Sequence, residues 1–379
     1  MKKYFYIAMY AFIAAAMTSC SDDKNNEPEG PDAAEVSNCA YVLNQGNFYN
    51  GIEGGLSVID YETGTAALNV FKAKNNRSLG DTPQCGVAYG SKIYIGTSVS
   101  NTIEIIDGTS YLSYKQFRLS ENPEHGTSPY SMIAHDGKVF ISMYDGYLAR
   151  LDTLTMTIDK SVAVGANPDQ IALFNNKIYV PISEGMNWQQ GYGTTACVVN
   201  PKTMEVESTF SVGLNPTQFF TAGHRLFLLC KGNYEDVASK LYEIKETVEE
   251  TIEDDEIKYI IKYISEEICN ATMAAPLGDR IAVIDQPFVQ GKPTVKYSLY
   301  NLADDTLTDW NIQQPDYANA MYYDAVANRF LIASYIMNGQ YPSYDLPGYV
   351  NVYDATNFSL LYKTNIGAAG PACIFTHKK

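Results

Sequence analysis

The sequence is poor in the residues on which most enzymes and nucleic-acid-binding proteins rely. Its 379 residues include four histidines and two tryptophans, and its 27 lysines and arginines stand against 43 aspartates and glutamates, a formal net charge of −16. No cluster of basic residues interrupts this acidic balance. Contacts to a phosphate backbone need such clusters, so nucleic-acid binding is excluded.

Motifs of catalysis and cofactor binding are absent from the sequence as well. There is no GxSxG, HExxH, P-loop or GxGxxG pattern. Six cysteines follow residue 38 without a CxxC pair or zinc-like spacing, and most lie within apolar strand patterns. We therefore expect a protein that is not an enzyme, with no metal and no cofactor. The thiols are expected to be buried and free, with a Cys39–Cys373 disulfide left open as the alternative.

The first residues have the pattern of a secretion signal. Lys2 and Lys3 precede an apolar run over residues 4–17 that is too short to span a bilayer. The run ends in Met17-Thr18-Ser19-Cys20, and small residues before a cysteine resemble a lipobox. We expect lipidation at Cys20, with an ordinary signal peptide and a nearby cleavage site as the alternative.

The residues after Cys20 are polar and acidic up to Asn38 and are similar to the surface-export tether of Bacteroidota-type lipoproteins. We therefore predict a lipoprotein signal peptide at 1–19, a flexible acidic tether at 20–38 and one folded domain at 39–379. This organisation predicts a protein anchored by lipid to the outer membrane and exposed at the cell surface.

One repeat runs through the folded part. A proline is followed nine residues later by a base, with a short apolar strand and a turn between them and a second apolar strand after the base. The pairs are Pro83/Lys92, Pro129/Lys138, Pro168/Lys177 and Pro216/Arg225. Two further strands complete each unit of roughly 40–55 residues, the span of a propeller blade.

The two ends of the repeat region are each incomplete. Residues 40–43 match the second strand of the repeat, but no proline-led first strand precedes them. Residues 371–375 match the proline-led first strand, but no second strand follows them. Together they complete one blade, which closes a ring and removes exposed sheet edges. We predict an all-β, seven-bladed β-propeller of four-stranded antiparallel blades whose first blade is closed by the C-terminal strand.

The joints Val164–Pro168 and Val212–Pro216 and the strand end Ile105-Ile106-Asp107 resemble those of YncE-like (YVTN-repeat) seven-bladed propellers. The start, 43–48, and the end, 371–375, are similar to surface lipoprotein propellers of the cobalamin-binding BtuG type. The resemblance covers residues 40–379. It implies a corrinoid as bound ligand rather than cofactor, and a TonB-dependent transporter as partner.

Long loops between second and third strands share one face of such a ring, and variable loops on a repeated scaffold are where binding residues collect. These loops carry aromatic rings beside Asn and Gln, a pattern that suits a large flat ligand with a polar rim, such as a corrinoid or a glycan. The candidate ligand-binding residues, which include two joint asparagines, are Asn47, Phe48, Tyr49, Asn167, Trp188, Tyr192, Asn215, Tyr234, Phe288, Tyr335, Tyr341 and Tyr344. Alternatively, Tyr and Asn simply populate long loops, and the joint asparagines cap turns.

Other functions stay open at this stage. The chain could be a protein-interaction scaffold or a glycan-binding module of a nutrient-uptake complex. A propeller hydrolase or lyase would need polar side chains that converge in the channel, and only His125 among the histidines is expected near its mouth. The acidic run from Glu249 to Glu256 is expected on the opposite face, as a solvated hairpin tip or a short helical insert.

Overall fold

The computed structural model describes residues 36–253, 256–287 and 294–378. The predicted signal peptide, Cys20 and most of the tether lie outside the described residues, and so does Phe288. Among the described helices, none has the length and the apolar character needed to cross a membrane.

The predicted fold is confirmed: seven four-stranded antiparallel sheets follow one another along the chain. The strands of the first three blades are β1 (Val36–Asn44), β2 (Gly55–Asp60) and β3 (Ala66–Ala67) with the C-terminal strand; β4 (Pro83–Tyr89), β5 (Lys92–Thr97), β6 (Thr102–Asp107) and β7 (Ser113–Arg118); and β8 (Pro129–His135), β9 (Lys138–Met143), β10 (Tyr147–Asp152) and β11 (Thr157–Ala163).

The next two blades contain β12 (Ala172–Phe174), β13 (Lys177–Ile182), β14 (Thr195–Val199) and β15 (Val206–Ser211), and then β16 (Pro216–Ala222), β17 (Arg225–Cys230), β18 (Lys240–Glu253) and β19 (Glu256–Asn270). The last two contain β20 (Met273–Leu277), β21 (Arg280–Asp285), β22 (Lys296–Asn301) and β23 (Leu307–Asp309), and then β24 (Tyr317–Asp324), β25 (Arg329–Tyr335), β28 (Tyr349–Asp354) and β29 (Leu360–Asn365).

A few short elements lie outside the seven sheets. A small hairpin, β26 (Met337–Asn338) and β27 (Tyr341–Pro342), lies in the long loop of the seventh blade. One helix, α1 (Val70–Asn75), follows the first blade, and single 3-10 turns cover Phe48–Asn50, Leu119–Glu121, Pro123–His125 and Gly185–Asn187.

The C-terminal strand β30 (Pro371–Lys378) closes the ring as expected. It pairs antiparallel with β1, with Tyr41 opposite Phe375 and Leu43 opposite Cys373. The rings of Tyr41 and Phe375 stack at 5.3 Å. Cys373 is a free thiol, so it forms no disulfide with Cys39, which lies four positions from Leu43 along β1.

The proline–base repeat has a structural meaning. Each base begins a second strand, and the aromatic residue two positions later is buried between blades. These rings are Tyr94, Phe140, Tyr179 and Phe227, each no more than 1% exposed. The tyrosine-rich composition is thus partly a requirement of packing, because large rings fill the space between neighbouring twisted sheets.

The joints before the prolines repeat as well. The residue before each proline takes a left-handed backbone conformation: Thr82, Ser128, Asn167, Asn215 and Gly370. In all five blades its carbonyl accepts a hydrogen bond from the N–H of the residue that follows the neighbouring second strand, at 2.7–3.2 Å. These donors are Ser98, Tyr144, Ser183, Lys231 and, after β1, Gln45. These bonds hold the innermost strand against the end of its neighbour and fix the rim of the channel.

The acidic run is part of a hairpin, one of the two forms expected. Strand β18 pairs with β17 over Lys240–Ile244 and continues with β19 as a two-stranded arm. The repeat predicts that the fifth blade spans residues 215–266, but β19 extends this blade to Asn270. At the base of the arm, Tyr263 stacks on Phe210 at 4.2 Å. The hydroxyl of Tyr179, in the fourth blade, donates to Glu246.

We predict that Phe375→Ala lowers the free energy of unfolding by about 3–5 kcal/mol, because Phe375 is buried in the pairing that closes the ring. Urea unfolding followed by circular dichroism measures this loss. The control is Leu154→Ala, in a turn that leaves Leu154 89% exposed, for which we expect a change within about 0.5 kcal/mol. Equal effects of the two substitutions would contradict the role assigned to closure.

Candidate ligand-binding site

A cavity of about 420 Å³ opens at the rim of the channel, on the face of the long loops. Innermost strands of several blades line it, together with loop residues of the fourth and fifth blades. The volume lies in the lower part of the range of small-molecule pockets, about 300–1,000 Å³.

Four tyrosines form a wall of this cavity. Tyr130 follows the joint proline of β8 and stacks on Tyr144, which follows β9, with ring centroids 4.4 Å apart. Tyr192 and Tyr234 come from the long loops of the fourth and fifth blades and meet edge to face at 5.9 Å. Stacked and edge-on rings offer a ligand both flat apolar faces and hydroxyl groups.

The tyrosine wall requires a glycine beside it. A Cβ atom on Gly185 would lie 2.5 Å from the hydroxyl oxygen of Tyr144, well inside contact distance. Gly185 opens the single 3-10 turn after β13. A side chain at this position would push Tyr144 out of its place in the wall.

Polar side chains lie at the bottom of the cavity. Asp169 is 5% exposed and follows Pro168, and Lys231 follows β17. The Lys231 ammonium donates to the carbonyl of Thr272, and neither Asp169 nor Lys231 has a salt-bridge partner within 4.0 Å in the described part of the chain. The cavity therefore holds an acid and a base that face the same space without touching.

Burial dominates the titration of both groups. It raises the pKa of Asp169 to about 8, partly offset by the charge of Lys231 and the N–H of Gln170. It lowers the pKa of Lys231 to about 8, partly offset by the charge of Asp169. A low-dielectric site disfavours both charged forms, and the two titrations are coupled.

Three of the predicted binding residues lie in this cavity: Tyr192, Asn215 and Tyr234. Asn215 lies beside Tyr234, and its side chain offsets part of the rise that burial causes in the pKa of this tyrosine. Gln170 and Gln218, each two positions after a joint proline, also line the cavity, and their backbones form a parallel bridge.

Two predicted residues have structural environments instead. Asn167 is buried, its amide donating to the carbonyl of Tyr144 and its side-chain oxygen accepting from the N–H of Met186. It therefore caps a turn, the alternative reading of the joints. Tyr335 is not an exposed loop residue: it ends β25, is buried, and packs edge to face against Tyr344 at 5.1 Å.

The remaining described candidates are surface residues that do not line the cavity. They are Asn47, Phe48, Tyr49, Trp188, Tyr341 and Tyr344. The side chain of Asn47 donates to Asp345 at 2.8 Å, which ties the long loop of the first blade to that of the seventh.

Sequence reasoning missed Tyr130, Tyr144, Asp169 and Lys231. The repeat contains a signal that could have found them. Tyr130 and Asp169 each follow a joint proline, and Tyr144 and Lys231 each follow a second strand. Both positions point toward the rim of the channel in several blades, so aligning the repeat units on their prolines would have brought these residues together.

The features expected of a catalytic site are only partly present. His125 hydrogen-bonds Ser161 of the outer strand β11 at 3.1 Å and does not line the cavity. Among the residues with described positions, no group of three His, Cys, Asp or Glu side chains could hold a metal ion. Polar groups do converge in the channel, as a hydrolase or lyase would require. An entirely apolar channel would have excluded these two functions.

We predict that Asp169→Asn raises stability at pH 8 by about 1–3 kcal/mol, because asparagine replaces a carboxyl group whose charged form is disfavoured by burial. Because the folded pKa of Asp169 lies above the ordinary value of 3.8, the unfolded chain releases a proton that the folded chain keeps. Its contribution to stability is therefore lost as the pH rises from about 4 to about 8.

The measurement is urea unfolding at several pH values between 4 and 8. The wild type should lose more stability over this range than Asp169→Asn. Lys231, whose pKa is lowered, adds the opposite trend above about pH 8. If the free energy of unfolding changed equally with pH in the two proteins below pH 8, the pKa of Asp169 would not be raised.

No protein-family model matches the sequence, and no curated protein matches it. Solved structures do resemble it. A hypothetical selenium-binding protein from Sulfolobus tokodaii has a TM-score of 0.59 at 11% identity, over 90% of this chain and 94% of that chain. A protein provisionally assigned as a 6-phosphogluconolactonase from Bacteroides uniformis has a TM-score of 0.57 at 11% identity, over 89% and 99%. The WD40 domain of Neurospora crassa Pan2 has a TM-score of 0.51 at 10% identity, over 78% and 81%. At such identities these similarities support the propeller fold alone.

Proposed function

We propose that this chain is a non-catalytic binding protein that captures a small ligand in the cavity at the rim of its channel. The observation that carries the proposal is the combination of a tyrosine wall with the buried Asp169 and the half-buried Lys231 in one cavity. Such a mixture of flat apolar surface and a few convergent polar groups is typical of small-molecule sites.

Binding is favoured over catalysis because the potential nucleophiles in the cavity are not activated. Cys373 lines it, but burial raises the pKa of its thiol to about 11. The thiol is therefore protonated at neutral pH, and only the thiolate is a strong nucleophile. His125 lies elsewhere, and the hydroxyl of Ser183 donates to the carbonyl of Asn167.

A corrinoid is the ligand that the family resemblance suggests, with a glycan as the alternative. A corrinoid is larger than the cavity and would lie across its opening, with the rings of Tyr192 and Tyr234 against its face. Trp188, in the same loop as Tyr192, is exposed and could extend this contact.

The proposal includes a cellular location. A lipidated Cys20 would hold the propeller at the outer membrane, exposed at the cell surface, where a bound nutrient could pass to a TonB-dependent transporter. The lipobox-like Met17–Cys20 and the acidic residues that follow it support this anchoring.

We predict that the wild-type protein binds cyanocobalamin in isothermal titration calorimetry, and that Tyr192→Ala and Tyr234→Ala each weaken binding about 3- to 10-fold through the loss of ring contacts. Tyr49→Ala is the control, because Tyr49 is almost fully exposed and outside the cavity. A panel of soluble glycans tests the alternative ligand in the same way. If neither class binds, or if all three variants bind equally, the proposed site is wrong.

The arm formed by β18 and β19 favours a second function, that of an interaction scaffold. Beyond the fifth blade it carries exposed apolar side chains: Val248, Tyr259, Ile260, Ile261 and Ile264. Residues 245–264 also contain seven acidic residues and three lysines. An apolar ribbon with open edges and an acidic tip suits a protein partner that offers an extended segment with basic residues. We propose the transporter as that partner.

We predict that replacing residues 248–261 by Asn-Gly abolishes co-purification with a TonB-dependent corrinoid transporter expressed in the same cells, while the melting temperature and ligand binding stay unchanged. Thr247 and Lys262 face each other in the arm, so a two-residue turn can join them. Tyr49→Ala is again the control. If the shortened protein co-purified with the transporter as well as the wild type does, the arm would not be part of the interface.

A further inference from the structure

The cavity contains a positive charge, on Lys231, that no anion of the described residues balances within ion-pair distance. The Lys231 ammonium has three N–H donors and one acceptor, the carbonyl of Thr272. Asp169 lies across the same cavity but beyond ion-pair distance. Lys231 is half-buried, and a cation that is partly removed from water without a paired anion is disfavoured, so this arrangement favours any ligand that supplies the missing charge.

We infer that the ligand carries one carboxylate, which binds between the Lys231 ammonium and the Asp169 carboxyl, with the body of the ligand against the rings of Tyr130 and Tyr144. This inference rests on the proposed function, because it names the chemistry of the ligand for the same cavity. It favours an acidic sugar of the glycan alternative there, since the side chains of cyanocobalamin are amides and a corrinoid would lie across the opening without supplying a carboxylate. One carboxylate oxygen would accept from Lys231, and the other would accept from the protonated carboxyl of Asp169.

The surrounding titratable groups favour an anion at neutral pH. Burial raises the pKa of Asp169 above neutrality, so its carboxyl is a donor without charge. Tyr130 and Tyr144 from the third blade, and Tyr234 from the fifth, face Asp169, and their pKa values are raised, so they too are neutral donors. Lys231 is then the group that supplies charge, and it is positive.

A neutral ligand would leave that positive charge without a partner. A hydroxyl or an amide can accept from Lys231, but charge-assisted hydrogen bonds are roughly twice as strong as neutral ones. Displacement of water from the cavity would make the difference larger, because electrostatic interactions strengthen at low dielectric. The arrangement therefore distinguishes a carboxylate from its uncharged analogue.

The test compares benzoate with benzamide on the full folded domain at pH 6.5, with binding followed by titration calorimetry and by NMR shifts of the cavity tyrosines. The two probes share a phenyl ring and differ in the head group, which is a charged carboxylate in benzoate and an uncharged amide in benzamide. We expect benzoate to bind at least tenfold more tightly than benzamide. Raising the pH to 9.5 should weaken benzoate binding at least tenfold, because Asp169 then gains a negative charge and Lys231 loses its positive one.

Two variants assign the effect. Lys231→Met should abolish the preference for benzoate, and Asp169→Asn should bind benzoate more tightly than the wild type at pH 8.5, because asparagine gains no charge. The comparison on the wild type does not depend on either variant folding.

The outcomes separate this inference from the proposed function. Equal or tighter binding of benzamide, with shifts of the cavity tyrosines, would overturn the carboxylate and leave the binding site standing. If neither probe shifts these tyrosines at 50 mM (roughly the weakest affinity worth assigning to a site) and no corrinoid or glycan binds, both proposals fall. A benzoate preference that survives in Lys231→Met would place the anion elsewhere and overturn the inference.

Discussion

The pairing of β1 with β30 is the interaction on which the rest of the molecule depends. Antiparallel hydrogen bonds between the two ends of the folded chain convert a row of seven sheets into a ring, which leaves no blade without neighbours. The same strand supplies Ala372, Cys373 and Ile374 to the cavity. Closure and the ligand site therefore share residues, and the site exists only when the chain has folded to its last strand.

The ring also explains how the protein can keep Asp169 and Lys231 in an unfavourable place. Large apolar clusters between blades, such as those around Tyr94 and Phe330, supply the free energy of folding away from the channel. The channel wall can then hold polar groups in environments that shift their pKa values. Perturbed titration of this kind concentrates at functional sites, and here it coincides with the cavity and with the tyrosine wall.

Much of the fold could be predicted from the sequence because the repeat is a local pattern. A proline, a base nine residues later and an aromatic residue two positions beyond it specify a short first strand, the start of a second strand and an inter-blade contact, as in Pro129, Lys138 and Phe140. The incomplete repeat units at the two ends, 40–43 and 371–375, predicted that the C-terminal strand closes the ring. The extension of β19 to Asn270 was not predicted, because the arm and the blade form one continuous strand pattern without a turn signal.

The site was predicted only in part, because it depends on which side chains meet across blades. Tyr192 and Tyr234 could be predicted because they lie in long loops, where binding residues collect. Asp169 and Lys231 lie at ordinary repeat positions, and their shifted pKa values result from burial in the folded protein. Tyr335 shows the opposite difficulty. Its neighbours in sequence are loop residues, but its ring is held inside by Tyr317 and Tyr344, and contacts of this kind cannot be read from a single sequence.

The joint hydrogen bonds have a consequence for how such a protein can diversify. The long loops of the first, fourth and fifth blades leave the ring just after the bond that ties a second strand to its joint, at Gln45, Ser183 and Lys231. A loop can then be lengthened, shortened or exchanged beyond that bond without displacing the strands below it. The recognition surface can therefore change in evolution, or be grafted in the laboratory, while the scaffold beneath it keeps its geometry.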